Sequence, residues 1–267
     1  MVAATFTELL ALPSIQRSAV AVIIAGLTLP VAGVFIVGLD VIPLRFAMMH
    51  VALLGIALGL WAGVDATVAG LVLCALVAGS LAPLADRPAG LSGPAGFVMT
   101  VAIAAALLVL SVSGVNANGA FALLWGSILA TRWIDVAVLA VVGTAMVGVY
   151  LARRRQLALL LFDRDLAVCS GVRVGALTLV LLMAVGVATA AAVRLTGALL
   201  VDAVTLLPAL TARNLALSLH AAVLWAMAAG VVGNAVGFTL ALALDQPPGP
   251  VMVMTAGALT LLTFLKR

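Results

Sequence analysis

Apolar residues run in blocks of about 18 or more along the chain, separated by short clusters of charge, glycine and proline. Each block is long enough to cross a hydrocarbon layer about 30 Å thick as a helix. The pattern predicts spans near Ser18–Val37, Phe46–Gly63, Ala66–Pro83, Ala95–Val115, Trp133–Ala152, Val174–Val193, Arg194–Leu215, Ala221–Leu244 and Val251–Leu265. Thr5–Gln16 is weakly amphipathic and reads as an interfacial segment. Val115–Arg132 is only mildly polar and reads as a re-entrant or interfacial helix. The expected fold is all-α, a polytopic membrane protein of eight to nine transmembrane helices forming one membrane domain over residues 1–267. Ten-residue amphipathic strands are absent from the pattern, which excludes a β-barrel.

The longest interruption is Arg153–Gly171, RRRQLALLLFDRDLAVCSG. Asp163 is placed to cap a short helix, Leu166, Ala167 and Val168 give it a small apolar face, and Gly171 ends it. Such a piece between two spans is either a docking element or an ordinary basic loop that orients the protein.

Composition agrees with the pattern. Hydrophobic residues make up 66% of the chain and charged ones 8%, more apolar than a soluble core requires. The net charge of +4 is spread over loops with no aromatic-basic patch, so no nucleic-acid partner is expected. Cys74 and Cys169 fall at different depths, which argues against a disulfide, and no zinc-cage spacing is present. No Lys or Arg precedes Arg17, so the first apolar stretch is expected to be retained as a span. If the spans alternate sides, ten of the 13 Lys and Arg fall on one face with Arg153–Arg155, and Arg17, Arg132 and Arg194 on the other. The ten-cation face is expected to be cytoplasmic, with the C-terminus on that side.

An ionisable residue inside a membrane costs about 2.5–3.5 kcal/mol on insertion scales and is a functional suspect. His50 and Asp202 qualify. An imidazole and a carboxylate suit a first-row divalent cation, and they suit a buried hydrogen-bonded role equally well. Gly197 and Pro208 interrupt the span that carries Asp202. A broken helix lines a pathway or is a packing kink. Met48 and Met49 beside His50 are soft ligands or filler. No P-loop, G-x-S-x-G, H-E-x-x-H or acid/base pair occurs. The chain reads as a conduit and not an enzyme, with no catalytic residues and no permanently bound cofactor.

Five motifs, in order, bring a family into view. They are MHVALLG (Met49–Gly55), LLWGSILA (Leu123–Ala130), FDRDLAVCSGV (Phe162–Val172), TGALLVDAVTLLPALTAR (Thr196–Arg213) and DQPPGP (Asp245–Pro250). Together they resemble the permease subunits of the ABC-3 family, the zinc, manganese and iron importers of bacteria. The resemblance implies a type II importer-like permease in the bacterial cytoplasmic membrane, working as a homodimer. A metal ion, zinc or manganese first, would arrive from an extracytoplasmic binding protein. A cytosolic ABC ATPase would dock on the loop 153–173, with Phe162, Asp163, Asp165, Ala167 and Gly171 in the coupling element. The family usually carries G-D-A-x-x-H-A at the second span. His50 matches the histidine, but Phe46 stands at the aspartate. Asp202 is expected to replace that carboxylate and to face His50 across the pore. The alternatives are an ABC permease for a metal chelate or other small solute, and a stand-alone carrier using His50 and Asp202 as a proton relay.

Overall fold

The computed structural model describes residues 12–85, 90–113 and 128–265. Their regular structure is helical throughout: α1 (Pro13–Gly38), α2 (Ile42–Ala62), α3 (Ala66–Leu81), α4 (Ser92–Val112), α5 (Trp133–Phe162), α6 (Arg164–Cys169), α7 (Val174–Thr196), α8 (Ala198–Leu215), α9 (Leu219–Ala243) and α10 (Pro248–Leu265), with 3-10 turns at Ala82–Leu84 and Ile128–Ala130. Among the described residues, eight helices are long and apolar enough to cross a membrane: all of these but α6 and α8. With 18 residues, α8 spans about 27 Å.

The helix ends follow local chemistry. Gly63 closes α2 in the left-handed conformation, φ 69°, where a side chain would be strained. Asp65 then caps α3 by accepting from the Thr67 and Val68 N–H groups at 2.9 and 3.1 Å.

Two compact units share the chain. The first draws on Met1–Val34, Trp125–Thr144 and Arg194–Arg267. Within it α8, α9 and α10 pack against one another. On α9, Gly233 and Gly237 stand four residues apart, and a Cβ on Gly237 would lie 2.7 Å from Met252 Cα of α10. Gly26 of α1 and Gly230 of α9 meet in the same way, each Cβ position falling on the other's carbonyl oxygen at 2.8 and 2.5 Å. The second unit draws on Phe35–Leu124 and Ala145–Val193. There α2 packs on α3 and α4. Gly55 and Gly59 of α2 repeat the four-residue spacing, with Cβ positions 2.6 Å from Gly70 Cα and 2.8 Å from Ala66 Cα. In lipid the chain gains little from burying apolar surface as such, and close approach of small-residue faces supplies the packing instead.

Several boundaries differ from expectation. The fifth span was expected to end at Ala152, yet α5 continues ten residues to Phe162. RRRQLALLL holds no breaker, and Arg, Gln and Leu are good helix formers, so the helix outlasts the apolar run. Pro13–Gln16 belong to α1 and not to a separate interfacial segment. Arg45, one residue before the start expected for the second span, lies inside α2 and is fully buried. The helix predicted within Val115–Arg132 falls largely outside the described residues.

Candidate functional site

His50 sits in the third turn of α2, partly buried. Its Nδ1 lies 2.9 Å from the Phe46 carbonyl oxygen one turn earlier. A carbonyl only accepts, so Nδ1 donates in this contact, and in the neutral ring Nε2 is the nitrogen with the lone pair. That is how metal-ligating imidazoles are usually held, one nitrogen donating to an oxygen and the other left to coordinate. Phe46 is 38% exposed, and its ring lies over the Arg45 guanidinium at 4.5 Å, a cation–π contact. The Phe46 side chain supplies no carboxylate beside His50, while its backbone orients the imidazole. Met48 is fully buried, and its carbonyl accepts from Cys74 Sγ of α3 at 3.4 Å. Met49 is partly buried.

Asp202 belongs to the other compact unit, on α8, and is partly buried. The helix before it stops at Thr196. Gly197 has φ 74° and ψ 167°, a break that only glycine makes without strain, and α8 restarts at Ala198. Pro208 lies inside α8 and is buried. It removes one helix hydrogen bond and leaves the Val204 carbonyl without its intrahelical donor. A polar seam braces α8 beyond this point. Thr260 of α10 bonds the Thr211 hydroxyl at 3.0 Å and donates to the Leu207 carbonyl at 3.2 Å, and Asn214 donates to Thr263 at 3.1 Å. The chain is thus broken at Gly197, and Pro208 lies within the helix that follows. Among the described residues, no three of His, Cys, Asp and Glu come together as a metal cage.

One cluster escaped the sequence reading. Asp135, at the start of α5, is buried and sits 3.3 Å from Arg132 Nε and 3.7 Å from Arg194 Nε near the end of α7. Its Oδ2 also accepts from the Arg132 backbone N–H at 3.1 Å. The only sequence cue was an acidic residue in a first helical turn beside an arginine, too common to single out.

The short helix α6 follows the predicted plan. Asp163 adopts extended backbone and accepts from the Leu166 N–H at 2.8 Å. Asp165 adds a second carboxylate in the first turn, at the positive end of the helix. Ala167 is buried while Phe162, Leu166 and Val168 stand out at 83, 46 and 57% exposure. Gly171 turns the chain at φ 78°, with its N–H and that of Val172 closing onto the Val168 and Ala167 carbonyls. The result is a rigid knob capped at both ends, with its large apolar groups turned outward.

Stacked apolar helices, a broken one bearing a carboxylate, and a capped helix past the end of a span make this a multi-pass membrane protein of transporter type. The chain belongs to the ABC 3 transport family, whose model matches residues 11–267. It is 24% identical to the manganese transport system membrane protein MntC of Halalkalibacterium halodurans, over 97% of this chain and 89% of that one. It is 23% identical to the high-affinity zinc uptake system membrane protein ZnuB of Haemophilus influenzae, over 92% and 94%. Its fold is similar to a chain in the structure of PsaBC from Streptococcus pneumoniae in complex with Fab, with a TM-score of 0.85, 23% identity and coverage of 98% and 95%.

Proposed function

We propose that this chain is the membrane-spanning permease subunit of a bacterial ABC importer that moves a divalent transition metal, manganese or zinc first, into the cytoplasm. One observation carries the reading: the family match extends over residues 11–267, and relatives named for manganese and for zinc align with nearly all of it. ATP hydrolysis belongs to a separate cytosolic ABC subunit that docks on α6 through Phe162, Asp163, Asp165, Ala167 and Gly171. An extracytoplasmic binding protein delivers the ion, two copies of the chain form the pore, and the C-terminus lies in the cytoplasm. His50 offers Nε2 to the passing ion, and Asp202 offers a carboxylate beside the α7–α8 break. The ion is cargo and not a resident group, so a few weak ligands that release it quickly serve better than a closed cage.

A second reading keeps the permease and changes the cargo to a metal chelate or another small solute. Phe46 favours it, because the carboxylate that would complete a ligand pair with His50 on α2 is absent. Elemental mass spectrometry of cells decides between the two. Cells carrying the chain with its ATPase are compared with cells carrying His50→Ala or Asp202→Asn. Manganese or zinc rising with the wild type and falling with both variants supports metal import by these residues. No change in any metal, from a complex that folds and hydrolyses ATP, favours the second reading. Uptake lost in His50→Ala but intact in Asp202→Asn removes Asp202 from the pathway.

A further inference from the structure

A cavity of about 700 Å³ opens between the far end of α5 and the start of α7, within one compact unit. Its upper wall carries Arg153, Gln156 and Arg173, and its lower wall Val149, Leu177 and Val180. None of the residues that line it is acidic. Arg153 Nη1 donates to Gln156 Oε1 at 3.1 Å, which steadies the guanidinium and leaves the Gln156 amide N–H groups turned to donor use. Arg173 precedes the first turn of α7, a 23-residue helix whose dipole favours an anion at this end; the Val174 and Leu177 N–H groups already bond the Val172 and Arg173 carbonyls, at 2.8 and 3.0 Å. From Arg173 to Val180 the wall descends about 10 Å along the helix. Val180 is 45% exposed, on a helix apolar enough to span the bilayer.

We propose that this cavity binds the headgroup and upper acyl chains of an anionic phospholipid from the leaflet beside the α5–α7 loop. The two arginines and the α7 terminus match a phosphodiester. The apolar lower wall continues in the direction acyl chains take into the membrane, a direction no water-borne partner would follow. Its dimensions suit a small bound molecule. The site is independent of which cargo the permease carries.

The test is native mass spectrometry of the full chain in micelles mixed from phosphatidylglycerol and phosphatidylcholine. The wild type is expected to retain phosphatidylglycerol selectively, and Arg153→Gln with Arg173→Gln to lower that retention about tenfold. Arg154→Gln with Arg155→Gln removes the same charge from the same stretch without touching the cavity, and is expected to keep the lipid. Val149→Trp fills the apolar end with charge unchanged and is expected to lose it, which preserves the test should the arginine variant fold poorly. Equal retention by the wild type, the cavity-arginine variant and Val149→Trp overturns the proposal. Equal loss in both arginine pairs also overturns it, in favour of a diffuse basic surface. Displacement of the lipid by millimolar inorganic phosphate alone overturns it in favour of a soluble anion.

Discussion

The Nδ1–H of His50 is committed to the Phe46 carbonyl at 2.9 Å. The Phe46 side chain offers no ligand for a divalent cation, and its backbone performs the orienting task. Under the proposed function, Nε2 is the ring atom left to meet the ion. Replacing His50 by alanine is expected to lower metal uptake at least about tenfold, the scale of losing a ligand or its support. Purified yield and thermal midpoint should hold, since a partly buried imidazole bonded only one turn back adds little to packing. Transport assays with radioactive manganese or zinc, run beside a melting curve, check both halves of this expectation.

The α6 cap gives a sharper separation of causes. Asp163→Ala removes the bond to the Leu166 N–H and costs about 0.5–2 kcal/mol of local helix stability. With docking dependent on a formed α6, 1.4 kcal/mol corresponds to about tenfold weaker capture of the ATPase subunit in a pull-down. Asp163→Asn and Asp163→Ser keep a capping oxygen and should restore capture. Failure of both to restore it would mean that the charge, and not the cap, makes the contact.

Asp135 and Arg194 tie the start of α5 to the end of α7 at 3.7 Å, with the Arg132 guanidinium reaching both carboxylate oxygens at 3.3 and 3.4 Å. Asp135→Asn leaves Arg194, 26% exposed, with a neutral neighbour. The expected loss is about 1–2 kcal/mol, between exposed and buried pairs. Each kcal/mol lowers the melting midpoint by roughly 2–4 °C in a chain of this size. A midpoint equal to wild type in low-salt buffer would show the pair to be energetically idle.

Glycine-lined contacts predict a positional contrast on neighbouring helices. A Cβ on Gly237 would lie 2.7 Å from Met252 Cα, whereas one on Gly257 meets nothing within 4 Å. Gly237→Val should push α9 from α10 and destabilise by about 1–3 kcal/mol. Gly257→Val should be near neutral. Thermal denaturation of the two in the same detergent makes the comparison direct.

Much of this architecture was legible in advance because length of apolar run is nearly all a bilayer asks of a helix. The spans from Phe46, Ala66, Val174 and Ala221 each coincide with an observed helix to within a few residues at the ends. Asp163 and Gly171 marked α6 because a cap and a left-handed turn are local chemistry. Where runs of good helix formers carried on past the greasy stretch, as at Arg153–Phe162, hydropathy alone stopped too soon. Arg45 was misjudged for the opposite reason. Pro43, a residue suited to a first helical turn, starts α2 early and draws the arginine into the helix, and its burial depends on tertiary packing. The Asp135–Arg194 contact joins residues 59 apart, and no local spacing announces it.

Phe162 is 83% exposed, seven residues past the triple arginine Arg153–Arg155. A bare phenylalanine on a rigid helix end is also what quality-control machinery seizes. If the proposed ATPase subunit covers it, copies made in excess of that subunit would display it and be degraded, so the subunit's supply would set how much of this chain a cell keeps. Pulse-chase labelling should then show a shorter half-life for the orphan chain, and Phe162→Ser should lengthen it.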